Sequence, residues 1–215
     1  MKKLLIICEG QTEEAFCDKI LKKHFHDLGI AIEYPLVAHS GGGIVPWRYL
    51  KREIELHYAT DCDRFITTFI DYYGMYEHQN YPQWSAAHLS ANKSSIMDLL
   101  ETGMFNDISV TVQQKFIPNI VLHEFETLIL SDFSVFQQYY DASEFNADTL
   151  TTICAAAPET INNGLMSAPS KRLQNNIPAY DKVNDGSELA ILIGLPTIRM
   201  KCPRFDKWIK KLEAI

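Results

Sequence analysis

The chain has 215 residues, 47% hydrophobic and 22% charged, with a formal net charge of -7. That length gives one embellished domain or two small lobes, with enough apolar content for a full core. The acidic balance excludes a sequence-blind nucleic-acid coat, which runs on excess lysine and arginine; acidic enzymes still act on nucleic acid where metal ions and a local basic patch screen their carboxylates.

KLLIIC (3–8) is short, continuous and β-branched at Ile6 and Ile7, the pattern of a strand buried on both faces. Thr12 is placed to cap a helix, with Glu13 and Glu14 at its positive end. Phe16, Ile20, Leu21, His24, Phe25 and Leu28 then recur at helical spacing, and Gly29 ends the helix. IAIEYPLVA (30–38) reads as a second strand, which Pro35 assigns to an edge or a bulge. SGGG (40–43) is a loop, and Pro46 suits the first turn of a second helix running through Leu56. RFITTFI (64–70) is a third strand ending at Asp71, followed by an aromatic, irregular loop, YYGMYEHQNYPQW (72–84). HLSANKSSIMDLLETGM (88–104) is a third helix, KFIPNIVL (115–122) a fourth strand with a proline in it, and HEFETLILSDF (123–133) a helix starting at once. Alternating strands and helices predict an α/β fold with a mostly parallel sheet flanked by helices.

After about residue 132 the pattern changes to short helical pieces, broken at Pro158, Gly164, Pro169, Pro178 and Gly186. The last is the amphipathic PRFDKWIKKLEAI, with Phe205, Trp208, Ile209 and Leu212 on its apolar face. The expected division is an α/β core over 1–132 and a helical extension over 133–215 packed on it as one unit.

Five cysteines, Cys8, Cys17, Cys62, Cys154 and Cys202, form no CxxC pair. A zinc knuckle or disulfide framework is therefore unsupported, and a reducing cytoplasm is the natural compartment. Lys2 and Lys3 before LLII imitate a signal peptide, but Glu9 interrupts the apolar run too early. No run approaches a membrane span, so the expectation is a soluble cytoplasmic protein with no membrane partner.

Ligand sites in open α/β sheets lie outside the carboxyl ends of the strands. The first strand ends at Glu9, with Glu13 one helical turn later; the third ends at Asp71; the fourth runs to His123, Glu124 and Glu126. Carboxylates gathered on one edge repel unless a cation joins them or some are protonated. Oxygen ligands of this kind suit magnesium or manganese rather than zinc. Each residue also has a plain structural role open to it. Glu13 and Glu14 serve a helix dipole, Glu9 a solvated turn, Asp71 a turn cap, Glu126 a helix surface and His123 a helix start or a core position. HEFET is not HExxH, which rejects a zincin, and no Ser-His-Asp or Cys-His spacing stands out.

With those residues in view, the chain resembles the DUF4276 family, whose members resemble Toprim-domain proteins of the kind joined to ABC-type ATPases in overcoming-lysogenization-defect (OLD) nucleases. The resemblance rests on CEGQTEEAF (8–16), FIDYYG (69–74), HEFETLIL (123–130), PSKRL (169–173), the stretch from Tyr180-x-Lys182 to Gly186, and Arg199 with CPRFDKWI (202–209). It implies a Toprim-like fold in which Glu9 and Asp71 hold divalent metal, with Glu13 as a further acid. The chain departs from the usual Asp-x-Asp in reading Asp71-Tyr72-Tyr73. Either Glu124 or Glu126 replaces the second aspartate, or the second metal site is absent.

The leading expectation is a nuclease subunit dependent on Mg2+ or Mn2+, acting on DNA or RNA beside an ABC-type ATPase in defence or repair. A homo-oligomer is left open. Glu9, Glu13, Asp71, Glu124 and Glu126 are the candidate metal ligands. Glu9 and Asp71, with Lys171 or Lys182 near the phosphate, are the candidate catalytic residues; Arg172 is a further candidate cation. The lysines also read as solvated loop cations. Tyr72 and Tyr73 either stack on a base or pack over the strand. The run Arg199, Lys201, Arg204, Lys207, Lys210 and Lys211 either tracks a phosphate backbone or is the wet face of a helix. SGGG lacks GxxxxGK[ST] and is no Walker A; it is a phosphate cradle or a flexible turn. The rival functions are a non-catalytic interaction subunit with an incomplete site and a metal-dependent phosphohydrolase of small nucleotides.

Overall fold

The computed structural model describes residues 1–38, 43–161, 164 and 166–215. Of the SGGG stretch, residues 40–42 lie outside the described residues. Side chains alternate across β1 (Lys2–Cys8): Leu4, Ile6 and Cys8 enter one core cluster, Leu5 and Ile7 the other. A strand buried on both faces belongs inside a sheet with a layer on each side. The sheet has the order β2-β1-β3-β4, where β2 is Ile30–Glu33, β3 is Phe65–Asp71 and β4 is Phe116–Ile117. A fifth strand, β5 (Ile120–Val121), continues the pairing along β3, and every pair is parallel. The predicted parallel α/β architecture is therefore the one observed.

Prolines explain both departures in the strands. β2 stands at the edge and stops before Pro35; the chain then returns to β1 at Leu36, where the Val37 amide donates to Cys8 O at 2.8 Å. The predicted fourth strand is split into β4 and β5 at Pro118, which has no N–H to give the ladder. Asn119 stays docked through mutual bonds with Thr68: the Thr68 hydroxyl donates to Asn119 O at 2.7 Å, and Asn119 Nδ2 donates to Thr68 O at 3.2 Å.

The first helix runs as α1 (Gln11–Phe16), a π-helical stretch Cys17–Leu21 and α2 (Lys22–Asp27), ended by Gly29 in the left-handed region. Its N-cap is Gly10, not Thr12, which lies buried in the first turn. The Glu13 carboxylate does the capping instead, accepting from the Gly10 amide at 3.0 Å. α3 (Trp47–Thr60) begins after Pro46 and runs past Leu56. The loop over 72–84 contains a 3-10 turn at Glu77–Gln79 and ends in α4 (Trp84–Ala87). α5 (Lys93–Asp107) starts later than predicted because Asn92 caps it, its side chain accepting from the Ser95 amide at 3.1 Å. α6 (Val110–Gln113) leads into β4. The helix predicted to start at His123 is the single turn α7 (Glu126–Ile129), because His123 has φ +74° and breaks the helical path.

The extension consists of α8 (Ser134–Tyr139), α9 (Ala147–Cys154), a 3-10 turn Pro158–Thr160, α10 (Pro169–Asn176), α11 (Asn184–Ile193), α12 (Leu195–Lys201) and α13 (Pro203–Glu213). Pro158 and Pro169 open helical pieces, as proline does at a first turn. Gly186 breaks nothing; it lies inside α11, where an added Cβ would come within 3.3 Å of the Tyr180 hydroxyl and 3.4 Å of Phe125. The glycine serves close approach, not chain reversal.

One face of the sheet is covered by α3 and α5 through Leu50, Ile54, Met97 and Leu100. The other is covered by α1, α11 and α13 around an aromatic cluster in which Phe16 lies 5.8 Å from Phe69, 5.6 Å from Phe125 and 5.9 Å from Phe205. Trp208 pins α13 to the sheet, its indole N–H donating to the Thr67 hydroxyl at 2.9 Å. Among the described residues no helix is long and apolar enough to cross a membrane.

Candidate metal centre

Because β1, β3 and β5 are parallel, their carboxyl ends share one edge, and the acids that follow them meet there. Glu9 follows β1, and its Oε2 accepts from the Asp71 amide at 2.7 Å, tying the two strand ends together. Beyond β5 the ladder is prolonged by the Tyr72 amide donating to Val121 O at 3.1 Å and the Tyr73 amide to His123 O at 2.6 Å. The left-handed turn at His123 then redirects the chain. Asp71, Glu124 and Glu126 each offer a carboxylate oxygen, and these oxygens lie within 4.8 Å of one another. Lys182, in the loop before α11, places Nζ 3.6 Å from Asp71 Oδ2 and 3.3 Å from Glu126 Oε2.

Four of the acids, Glu13, Asp71, Glu124 and Glu126, are buried, and Glu9 is half-buried. Glu124 Oε1 accepts from the Ser170 amide at 2.5 Å. Glu13 Oε1, Asp71 Oδ1 and both oxygens of Glu126 have no hydrogen-bond donor, the Lys182 contact to Glu126 being an ion pair. Buried polar atoms normally find partners. Left-over carboxylate oxygens on Asp71 and Glu126, two of the three acids that converge, fit a hard divalent cation with oxygen ligands.

The titration of the cluster agrees with that reading. Burial above all, then the charge of Asp71, pushes Glu9 up to about 8. Burial lifts Glu13 to about 7 against the pull of Lys182, with Glu9 and Glu126 adding to it. Glu126 likewise stands at about 7, through burial opposed by Lys182 and reinforced by Glu124. Asp71 is held well above the usual carboxylate range, chiefly by burial. Burial pulls the Lys182 ammonium down, but Asp71, Glu126, Glu13 and Glu124 together outweigh it and hold it above its ordinary value. One ammonium does not neutralise this many carboxylates.

The structure thus brings Glu9, Glu13, Asp71, Glu124, Glu126 and Lys182 together. It does not do so for Lys171, which donates to Gln174 at 3.0 Å and has no ion pair with the acids among the described residues. The PSKRL stretch reaches the cluster through the Ser170 amide instead, and Arg172 Nε donates to Ser167 O at 2.7 Å. Glu14 stands in the first turn of α1, as the dipole role requires. The His123 ring points to Glu159 O, 3.3 Å from Nε2. Tyr72 packs, its hydroxyl 2.8 Å from His88 Nε2. Three of the six carboxyl-terminal cations are paired among the described residues: Arg199 binds Asp206 at 2.6 Å and Glu213 at 2.5 Å, Arg204 binds Asp98 at 2.6 Å and Glu101 at 2.5 Å, and Lys210 binds Asp206 at 2.7 Å.

Two contributors have no role in the sequence reading. The Ser170 amide carried no signal, since any residue supplies one. Tyr180 is buried with its hydroxyl unpartnered, and burial, then the charge of Glu126, drives it far above its ordinary value. Its signal was present in the Tyr180-x-Lys182 spacing.

A family model described as "Domain of unknown function (DUF4276)" matches residues 8–213. The chain belongs to the DUF4276 family. No curated protein matches it. Among solved structures, this DUF4276 protein is similar to the "C-terminal region of the Burkholderia pseudomallei OLD protein", with 16% identity, a TM-score of 0.48 and 98% of each chain covered. At that score the likeness adds no weight to the site, which stands on its own geometry.

Proposed function

We propose that this DUF4276 protein is a nuclease subunit dependent on Mg2+ or Mn2+, hydrolysing phosphodiester bonds of DNA or RNA beside an ABC-type ATPase in defence or DNA repair. The observation that carries this reading is the convergence of Asp71, Glu124 and Glu126 at the carboxyl edge of a parallel sheet, with buried oxygens that no donor satisfies. These three would hold the ion, with Glu9 and Glu13 adjoining. When bound, the ion supplies Lewis acidity, lowering the pKa of an attacking water and offsetting phosphate charge. Glu124 and Glu126 stand in for the second aspartate of Asp-x-Asp, where this chain has Tyr73, which supports a working site over a purely interacting subunit.

The protein's own groups divide the remaining work. The Ser170 amide fixes Glu124, and the Gly10 amide fixes Glu13. Glu9, at about 8, gains or loses a proton near neutral pH and is suited to move one. Lys182 is paired with Asp71 and Glu126 yet its side chain is 41% exposed, so its ammonium reaches outward to a phosphate oxygen once a cation shares those acids. The ATPase partner rests on the family resemblance, and the cytoplasmic setting on the scattered cysteines and the lack of a long apolar run.

Calorimetry with Mg2+ and Mn2+ on the wild type and on folded Glu9→Ala and Asp71→Ala tests the site, and cleavage of DNA and RNA tests the reaction. Binding and cleavage are expected to disappear together in both variants. A folded wild type that binds neither ion, and cleaves nothing even with a candidate ATPase present, would sink the proposal. Release of phosphate from small nucleotides with polynucleotides left intact would replace it with a phosphohydrolase.

A further inference from the structure

A cleft of about 830 Å³ lies between the start of α5 and the start of α13. Its inner wall is Leu122 and His123, the two residues before Glu124. Its α5 side carries Lys93, whose ammonium lies 5.2 Å from the ring centre of Tyr72, the residue after Asp71. Among the described residues no proposed ligand lines the cleft; it adjoins their strand ends through His123, which precedes Glu124, and through Lys93 against Tyr72, which follows Asp71.

The charges on its walls are unequal in availability. Arg204 lines it, but its guanidinium is held by Asp98 and Glu101. Glu159 lines it too, but its carboxylate caps α13, accepting from the Arg204 and Phe205 amides at 3.0 Å each. Lys93 and Lys207 have no ion pair among the described residues. In a chain of net charge -7, two ammonium groups without an ion pair on one cleft, Lys93 resting only against the Tyr72 ring, are a local reversal of sign. Lys207 also lines a second groove of about 440 Å³ with Lys211, but Asp98 and Glu101 line that groove too, so the local excess of positive charge is confined to the first cleft.

We infer that this cleft is the path by which a single-stranded nucleic acid reaches the metal centre, its phosphates held by Lys93 and Lys207. The inference rests on the nuclease reading and adds the form of the substrate and the residues that hold it. The cleft falls within the ~300–1,000 Å³ of ordinary ligand pockets, room for a short stretch of strand. Leu122 and Pro203 offer apolar surface to the bases, and the lysines offer charge to the backbone.

The test is fluorescence anisotropy with a short labelled oligonucleotide, single-stranded or duplexed, in EDTA so that nothing is cleaved. Wild type, Lys93→Ala, Lys207→Ala, the double variant and Lys23→Ala are compared over a salt series; Lys23 pairs with Asp27 on another groove. Single strands are expected to bind more tightly than duplex. Each cleft lysine removed is expected to flatten the slope of log K against log salt by about 0.7, the contribution of one phosphate contact. Lys23→Ala is expected to leave the slope unchanged. Equal affinity and slope in both cleft variants would overturn the path while leaving metal binding and cleavage to judge the nuclease reading separately. Tighter binding of duplex, or full displacement of the strand by a mononucleotide at equal concentration, would overturn it as well.

Discussion

Replacing Glu126 by glutamine separates a metal ligand from a structural ion-pair partner. Glu126 is fully buried and its carboxyl is raised from 4.5 to about 7. A raised folded pKa means that the folded state holds the proton longer than the unfolded state. Stability from this group is present below about pH 4.5 and is lost as pH rises through about 7. At ~1.36 kcal/mol per unit, burying this carboxyl costs about 3 kcal/mol at pH 8, where it is ionised, and about 1 kcal/mol at pH 5, where folding must protonate it. Glutamine stays neutral and keeps the shape. In EDTA at pH 8, Glu126→Gln is therefore expected to be more stable than wild type by about 3 kcal/mol, or ~6–12 °C for a domain of this size. At pH 5 the gap shrinks to about 1 kcal/mol. Urea melts at both values check this. Adding Mn2+ is expected to raise the wild-type midpoint and not that of the variant. A variant less stable than wild type at pH 8 without metal would refute the reasoning. Glu126 would then be there to hold Lys182.

Two substitutions probe how the extension is fastened. Arg204→Met leaves Glu101 buried without its cation, its Oε1 still bonded to the Ile120 amide at 2.9 Å, and is expected to cost about 3–5 kcal/mol in denaturant melts; a loss under about 1 kcal/mol would mean the pair is solvated. Trp208→Ala removes the side chain that packs 5.1 Å from Phe69 and is expected to cost about 3–5 kcal/mol. Trp208→Phe, losing the bond to Thr67 and little packing, is expected to cost about 1 kcal/mol. Equal losses in the two Trp208 variants would show that the hydrogen bond, not the ring, holds α13.

What was legible in the sequence followed from short-range chemistry. KLLIIC and FITTFI announced parallel strands by continuous apolar content, and the acids after them announced an edge. The split at Pro118 was foreshadowed by the proline but not placed, because the bonds that keep Asn119 on the sheet come from Thr68, fifty-one positions away. The helix at HEFETLIL was expected at its first residue, since local propensity does not reveal a histidine at φ +74°. Gly186 read as a breaker and is a contact point, a distinction that depends on Tyr180 and Phe125. For the same reason Lys171 and Lys182 looked equivalent as sequence. Only the fold places one of them against Asp71 and Glu126.

The choice between a working centre and a docking module also has an energetic side. Burying Glu13 and Glu126 at about 7 each costs the metal-free protein several kcal/mol above neutral pH, and Asp71 adds to that. The whole stability of a domain is about 5–15 kcal/mol. A protein that served only as a binding surface would gain nothing from this arrangement, because apolar residues of similar volume would fill the same space without the penalty. His123 adds strain at the same place, holding a left-handed turn that a glycine would adopt freely. Both terms are offset if a cation occupies the cluster, since binding to the folded state alone raises stability with ligand concentration. The local rules are broken where the acids meet, and that is the behaviour expected of a site kept for its chemistry.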